Sequence, residues 1–272
     1  MRPTVADKRQ TFRELHHTGC FVIPNPWDAG SAAILQSLGF KALASSSAGM
    51  AWSQARPDYN VARDDVLAHL TALCAATDIP VNADFENGFA DDPEGVARNV
   101  ALAIDTGVAG LSVEDSSWAP DDPLYDFDLS VARLVAARKA IDDSGSDVFL
   151  TARSEGFFAG KPDFDDMLAR ITAYAEAGAD CLYAPGIREE DQIAAVVEAV
   201  APKPVNVLTF GLSVETLRKL GVRRISVGGQ LARSAYADLI RAATGIVENG
   251  DFSAIQGSHV NMNNLYETYR ED

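Results

Sequence analysis

The feature that most constrains the fold is a short pattern that recurs four times: a helix-like stretch, a glycine, a small or apolar residue and a strand-like run. It reads LGFKALASSS, TGVAGLSVED, AGADCLYAPG and LGVRRISVGG, with the glycines at Gly39, Gly107, Gly178 and Gly221. Glycine at such a position ends a helix in the left-handed conformation, and here a strand follows at once. The pattern therefore predicts helices and strands in alternation.

Other segments extend the same alternation to eight units. Four further strands are predicted at 21–26, 80–86, 147–154 and 203–210. Amphipathic helices are predicted near 28–38, 61–77, 93–106, 130–143, 163–177, 188–200, 213–220 and 230–248. The strands are mostly apolar, which indicates burial on both faces and hence a parallel sheet. Eight such units predict one (β/α)8 TIM barrel over residues 1–250. The tail, 251–272, is expected to pack on the barrel or on a partner subunit. No glycine-rich phosphate fingerprint follows the first strand, which argues against a doubly wound sheet.

Acidic residues gather where the third and fourth strands end, at Asp84, Glu86 and Glu114. The C-terminal ends of the strands form the active site in barrels of this kind. If 81–86 is one strand, Asp84 and Glu86 point the same way and need a cation between them. Carboxylates favour a hard divalent ion, so we predict Mg2+, with Mn2+ as the alternative. The four histidines lie outside these segments, and a zinc site is not predicted.

Charge and cysteine usage limit the partners and the compartment. The formal net charge of −16 argues against nucleic acid or an anionic membrane as a partner. No apolar run of about 18 residues is present, and the N-terminal segment has no apolar core of a signal peptide. Cys20, Cys74 and Cys181 lie far apart in the sequence. This spacing is typical of a cytoplasmic protein without disulfides.

The segments ASSSAGMAWSQARPDYNVARDDVL, ADFENGF, LSVEDS, TARSEGF, NVLTFG and RISVGG, in this order, resemble the isocitrate lyase and phosphoenolpyruvate mutase superfamily. The resemblance covers roughly residues 22–242. It implies a (β/α)8 barrel whose last helix is exchanged between subunits of a homodimer or homotetramer. It also implies Mg2+, a small 2-oxo carboxylic acid as substrate, and cleavage or formation of a C–C or P–C bond beside a pyruvate-type enolate.

The resemblance also implies roles for individual residues. Asp84 matches the direct metal ligand, whereas Glu86, Glu114 and Asp58 match acids that reach the metal through water. Arg153 matches the arginine that clamps an anionic group of the substrate, and it is grouped with Asp58 and Glu114 as catalytic. The predicted substrate-binding residues, in part through backbone N–H groups, are Trp27, Ser45, Ser46, Ser47, Arg153 and Asn206.

Departures from the superfamily pattern narrow the function. The lyases carry a cysteine-containing loop after strand four, but Glu114 to Arg138 contains no Cys, His or Lys. The glutamate that the lyases use after strand six is replaced by the segment around Pro185, and the lysine of the mutase loop is also missing. The second motif acid is Glu86 instead of Asp. The absence of these catalytic loop residues leaves a decarboxylase-like or retro-aldol-like lyase as the favoured function, because the departure of CO2 needs no proton donor. P–C chemistry on phosphonopyruvate or phosphoenolpyruvate, and 2-oxo acid binding with little turnover, stay open.

Overall fold

Eight parallel strands form a barrel in the computed structural model, which describes residues 2–209, 211–256 and 260–267. The strands are β1 Phe21–Ile23, β2 Leu43–Ala44, β3 Val81–Asp84, β4 Gly110–Glu114, β5 Phe149–Arg153, β6 Cys181–Tyr183, β7 Val205–Leu208 and β8 Arg224–Ser226. Their order is β1-β8-β7-β6-β5-β4-β3-β2, and the Ala44 N–H joins the two ends by donating to the Pro24 carbonyl at 3.0 Å. The predicted (β/α)8 barrel is confirmed.

Helices alternate with the strands around the barrel. They are α1 Val5–His17, α2 Ala29–Ser37, α3 Ser47–Ser53, α4 Arg63–Ala76, α5 Pro93–Asp105, α6 Phe127–Asp143, α7 Phe164–Glu176, α8 Glu190–Ala199, α9 Val214–Lys219, α10 Gln230–Asn249 and α11 Met262–Tyr266. Side-chain caps fix several beginnings, as Asp92 does by accepting from the Gly95 N–H ahead of α5.

The glycine pattern identified the helix ends correctly, whereas some element boundaries differ from prediction. Each of the four pattern glycines has a positive φ, between 87° and 102°. Helices α1, α3 and α11 were outside the predicted set, and the third strand ends at Asp84, two residues earlier than predicted. The predicted strand 203–210 is β7 over Val205–Leu208, and Phe210 lies outside the described residues.

Helix α1 closes the N-terminal end of the barrel. The fully buried Phe12 ring meets Phe149 of β5 edge-on at 5.5 Å, and the His16 ring stacks on Phe149 at 4.1 Å. Gly110 of β4 permits this approach, because a Cβ there would lie 2.7 Å from the Phe12 ring. The barrel interior therefore ends in a packed aromatic plug on this side.

The C-terminal part of the chain leaves apolar side chains uncovered. Along α10, Leu239, Ile240 and Val247 are 63%, 64% and 84% exposed. Beyond α10, a 3-10 turn spans Ser253–Ile255, and the Tyr266 hydroxyl donates to the Gly30 carbonyl at 3.3 Å. None of the described helices combines the length and apolar composition needed to cross a membrane.

Candidate active site

A cavity of about 340 Å³ opens at the C-terminal ends of the strands. Seven of the predicted site residues line it: Ser45, Ser46, Ser47, Asp58, Asp84, Arg153 and Asn206. Trp27 is not among the lining residues; its main-chain N–H donates to the Ser31 hydroxyl at 3.0 Å, at the start of α2. Glu86 and Glu114 lie behind the cavity wall. The fold thus brings most, but not all, of the predicted residues to one space.

Arg153 is the centre of a group of charges that we call the rim cluster: Asp84, Glu114, Arg153 and Glu155. The β4–β5 register sets Arg153 directly beside Glu114. Its Nη1 lies 3.1 Å from both Asp84 Oδ1 and Glu114 Oε2, and its Nε contacts Glu155 Oε1. The cation between the strand-end acids is therefore Arg153, and it faces three carboxylates.

Burial sets the protonation of the rim cluster. It raises the pKa of Glu114 well above its usual range, and Arg153 only partly opposes this. Burial also raises the pKa of Glu155, to about 7. Burial alone would lower the pKa of Arg153, but Glu114 and Glu155 raise it well above the usual value. The guanidinium therefore stays charged.

Glu86 does not continue the β3 alternation. Its φ of 46° is left-handed, so it leaves the strand geometry after Asp84. Its side chain lines a second, small cavity together with Asp84 and His69 of α4. The expectation that Asp84 and Glu86 share one face of a continuous strand is wrong, because the period of two breaks at a left-handed residue. Burial first, then Asp84 and Asp58, raises the pKa of Glu86 to about 8.

The serine segment holds Asp84 in place. The Ser47 N–H donates to Asp84 Oδ2 at 3.0 Å, and the Asp84 N–H donates to Ser45 Oγ at 2.8 Å. Ser46 caps α3 by accepting from the Gly49 N–H at 3.1 Å. Burial and then the charge of Asp84 raise the pKa of Asp58 on the neighbouring loop. Asp84 is thus fixed at the cavity wall by two contacts from one loop.

The donor set around Asp84 fits a hydrated divalent cation. Across the described ranges, no group of three or more His, Cys, Asp or Glu side chains converges closely enough to hold a metal ion. Glu114 Oε2 and Glu155 Oε2 are buried without a hydrogen-bond donor, because Arg153 is near Glu114 Oε2 but not aligned with it. Mg2+ typically binds one or two carboxylates and keeps several waters. Such waters could donate to these acceptors.

Two loops meet over the rim cluster. The Trp118 indole N–H donates to Glu114 Oε1 at 3.0 Å, and the indole ring lies 3.4 Å from the Tyr59 ring between centroids. The Trp118 loop is braced internally, since the Ser117 N–H donates to the Pro123 carbonyl at 2.9 Å. Both aromatic residues have a positive φ, 56° for Trp118 and 59° for Tyr59. This aromatic pair covers Glu114 and narrows the cavity mouth.

The opposite end of the cavity holds a second polar group, the floor cluster: His16, Thr151, Asn206, Arg224 and Ser226. Arg224 Nε donates to Asn206 Oδ1 at 2.9 Å, and Asn206 Nδ2 donates to Ser226 Oγ at 2.9 Å. Sequence reasoning missed Arg224. The sequence did contain a signal: Arg223 and Arg224 are adjacent in the strand-like run RRIS, and successive side chains of a strand face opposite ways, so one of the two should point into the barrel.

Comparison with known proteins agrees with this architecture. The family model described as phosphoenolpyruvate phosphomutase matches residues 12–247. A solved structure from Burkholderia cenocepacia, described only in general terms as a lyase/mutase, is 46% identical with a TM-score of 0.93, covering 97% of both chains.

Relatives with named activities include a phosphorylmutase and a decarboxylase. The chloroplastic carboxyvinyl-carboxyphosphonate phosphorylmutase of Arabidopsis thaliana is 30% identical, over 90% of this chain and 72% of its own length. The oxaloacetate decarboxylase of Pseudomonas entomophila is 28% identical, over 93% of this chain and 91% of its own length.

Proposed function

The chain belongs to the phosphoenolpyruvate phosphomutase family, and we propose that it is a Mg2+-dependent or Mn2+-dependent lyase acting on a small 2-oxo acid. The reaction is decarboxylation or C–C cleavage through a pyruvate-type enolate. The observation that carries this proposal is the rim cluster, in which Arg153 and Asp84 line a cavity at the strand ends and Glu114 and Glu155 contact Arg153 from behind its wall. The related oxaloacetate decarboxylase supports the reaction class.

The metal would bind at Asp84, with Asp58, Glu86 and Glu114 reaching it through water. When bound, it would supply positive charge that stabilises the negative enolate oxygen. This arrangement explains why so many acids lie near one anion-binding cavity. Without a cation, their summed charge would repel a carboxylate substrate.

Side chains of this protein orient the substrate and exclude water. Ser45, Ser46 and Ser47 line the cavity beside Asp84, where we assign them the 2-oxo acid head. Arg153 also lines the cavity and can bind an anionic oxygen through the N–H groups that its carboxylates leave free. The Tyr59–Trp118 pair limits solvent access, which strengthens each electrostatic contact inside. Loss of CO2 needs no proton donor at that step, consistent with the absence of Cys, His and Lys from 114–138.

An assay of oxaloacetate loss tests the proposal directly. The protein should accelerate decarboxylation above the spontaneous and Mg2+-catalysed rates, and excess chelator should abolish the increment. Addition of Mg2+ should restore it. An unchanged rate in the presence of protein and metal, across several 2-oxo and 2-hydroxy diacids, would contradict the lyase assignment.

Two other functions share the same site. P–C bond chemistry is favoured by the phosphorylmutase relative and would release phosphate from phosphonopyruvate. Binding with little turnover is favoured by the missing loop groups. Ligand-induced stabilisation without product formation would identify this third function, since a ligand that binds only the native state raises the Tm.

We also propose that the chain forms a homo-oligomer in which α10 packs on a partner subunit. The uncovered Leu239, Ile240 and Val247 support this, because a helix with a large apolar face normally buries it. Light scattering should give a multiple of the 29.0 kDa chain mass. The double substitution Leu239→Lys and Ile240→Lys should lower that mass, and a monomeric unmodified protein would overturn the proposal.

A further inference from the structure

Arg224 begins β8 and lies at the inner end of the active-site cavity, which it lines together with Asn206 and Ser226. Only 3% of the residue is exposed. Its Nε donates to Asn206 Oδ1 at 2.9 Å and its Nη2 to Thr151 Oγ1 at 3.1 Å. Its Nη1 lies 3.5 Å from His16 Nε2.

None of these partners compensates the charge of Arg224. No described carboxylate lies within ion-pair distance of it, unlike the other cavity arginine, Arg153. His16 is neutral: its Nδ1 donates to the Phe12 carbonyl at 2.7 Å, and burial followed by the Arg224 charge lowers its pKa to about 3. Its Nε2 therefore presents a lone pair to Arg224. A guanidinium has five N–H donors, so two are left over.

Other buried arginines show what a purely structural role looks like. Arg133 donates to three main-chain carbonyls, those of Asn87, Ala90 and Asp91, and its guanidinium stacks on the Tyr125 ring. Arg170 forms ion pairs with Asp115 and Asp166. Arg224 has only neutral side-chain partners, and one of them is distant. An unpaired buried charge is costly, which favours an anion as its missing partner.

The neighbouring amide is oriented for the same anion. Arg224 can only donate, so the oxygen of Asn206 must face it and the nitrogen must face Ser226. The Nδ2 atom carries a second N–H beyond the one given to Ser226. Arg224 and Asn206 therefore offer spare donors to one end of a cavity whose other end contains Asp84 and Arg153.

We propose that Arg224 and Asn206 form a carboxylate subsite at the cavity floor, and that the substrate is a 2-oxo dicarboxylic acid. Its 2-oxo acid head lies at the rim cluster, and its distal carboxylate points down the barrel axis to Arg224. This assignment rests on the proposed function and adds the substrate class. It also gives the two arginines different roles. Arg153, which contacts three acidic side chains, binds the 2-oxo acid head of the substrate, whereas Arg224 binds the distal carboxylate.

Matched ligand pairs test the subsite. Oxaloacetate differs from 2-oxobutyrate, and 2-oxoglutarate from 2-oxovalerate, by a carboxylate in place of a methyl group. With Mg2+ present, calorimetric titration of the unmodified protein should give a Kd for one dicarboxylate about tenfold to a hundredfold lower than for its methyl partner, the value of a charge-assisted contact. The pair that shows the larger difference in Kd indicates which chain length spans the distance from the rim cluster to Arg224.

Substitutions then locate the preference. Arg224→Met should abolish the discrimination while leaving the monocarboxylate Kd within about twofold, and Arg224→Lys should retain part of it. Lysine keeps the charge in the barrel, so this variant gives the answer if Arg224→Met does not fold. The matched control is Arg223→Met, because Arg223 immediately precedes β8 and its Nη1 donates to the Gly19 carbonyl at an exposed site. That variant should behave as the unmodified protein does.

Each contrary result has a distinct meaning. Equal affinity for both members of each pair overturns the floor subsite and leaves the proposed function intact. Discrimination that survives in both Arg224 variants also overturns it, and assigns the distal carboxylate elsewhere. Absence of binding by every 2-oxo acid overturns the proposed function, and the subsite falls with it.

Discussion

The rim and the floor of one cavity each hold a buried arginine, but in different surroundings. Arg153 at the rim lies among Asp84, Glu114 and Glu155, whereas Arg224 at the floor contacts only neutral side chains. The rim therefore has three acidic side chains around one arginine, and the floor has an arginine with no described acidic side chain within ion-pair distance. The two arginines therefore have different roles in this account. Arg153 contacts the acids that are proposed to bind a cation, and Arg224 is available to bind an anion.

This separation suits a bipolar ligand. A 2-oxo acid needs a cation at its head, which the rim acids can recruit, and a dicarboxylate needs a second cation at its tail. Placing both at the rim would let the acids neutralise the tail-binding arginine. The barrel avoids this because inward-facing residues of successive layers are separated along the strand.

The largest effect is expected from breaking the rim. Asp84→Asn removes one charge from the proposed direct ligand, and Mg2+-dependent binding of a 2-oxo acid should weaken on the order of 100-fold or more. Even residues that only support metal ligands cost about 10-fold to 100-fold when replaced. Calorimetric titration with and without Mg2+ measures the change.

The exposed Asp105→Asn at the end of α5 is the control and should change nothing. Undiminished Mg2+-dependent binding in the Asp84 variant, with the fold intact by circular dichroism, would contradict the direct-ligand role.

A smaller effect should come from Arg153→Lys. Lysine keeps the charge but cannot contact Asp84, Glu114 and Glu155 together through a planar fork. We expect Kd to rise about tenfold for monocarboxylates and dicarboxylates alike, since only the head is affected. The ratio of the two Kd values is the informative quantity. A selective loss of dicarboxylate binding would place the distal carboxylate on Arg153 and remove the distinction between rim and floor.

The neutral state of His16 in the floor cluster should affect how the free energy of unfolding depends on pH. The pKa of His16 falls from 6.5 to about 3 on folding, because of burial and then Arg224. Below pH 6.5 His16 is protonated in the unfolded chain, whereas in the folded chain it stays neutral until about pH 3. The His16 contribution is thus fully present above pH 6.5 and is lost as pH falls, by about 1.4 kcal/mol per pH unit.

His16→Gln should flatten this slope in urea unfolding between pH 6.5 and pH 4.5, whereas the exposed His17→Gln should retain it. A steep slope that persists in the His16 variant would show that His16 is not held neutral at the floor.

The smallest effect is expected from the cysteines. Burial raises the thiol pKa of Cys20 and Cys181, and that of Cys74 to about 11. Such thiols react poorly as nucleophiles. The variant Cys20→Ser, Cys74→Ala, Cys181→Ala should retain turnover within about twofold, because a catalytic thiol would be worth far more. Loss of turnover with ligand binding intact would require a thiol mechanism, as would inactivation of the native protein by iodoacetamide.

Local patterns predicted most of the fold. A helix, a glycine and a strand occupy adjacent positions, so Gly39 and Gly221 could be identified as helix ends without knowledge of the tertiary structure. The capping box Thr4–Asp7 at the start of α1 was an equally local signal, and α1 could have been found from it. Helix α3 is seven residues long and has little apolar periodicity, so its sequence did not predict a helix.

The site residues that could be predicted from the sequence are those whose positions are set by the C-terminal ends of the strands. The β4–β5 register places Glu114 beside Arg153, as the barrel rule anticipates. The left-handed turn at Glu86 was not visible, since a non-glycine residue rarely adopts it. The floor contact between His16 and Arg224 joins residues 208 positions apart, and no sequence period links them. Such a contact follows only from closure of the barrel.

A crystal structure with Mn2+ and the tightest-binding 2-oxo dicarboxylate would test the central claim most directly. Anomalous scattering locates the ion independently of the ligand. We predict Mn2+ at Asp84, the 2-oxo acid head beside it at the rim, and the distal carboxylate within hydrogen-bond distance of Arg224 and Asn206. An ion remote from Asp84, or a distal carboxylate bound to Arg153 with Arg224 still surrounded by neutral partners, would contradict the account.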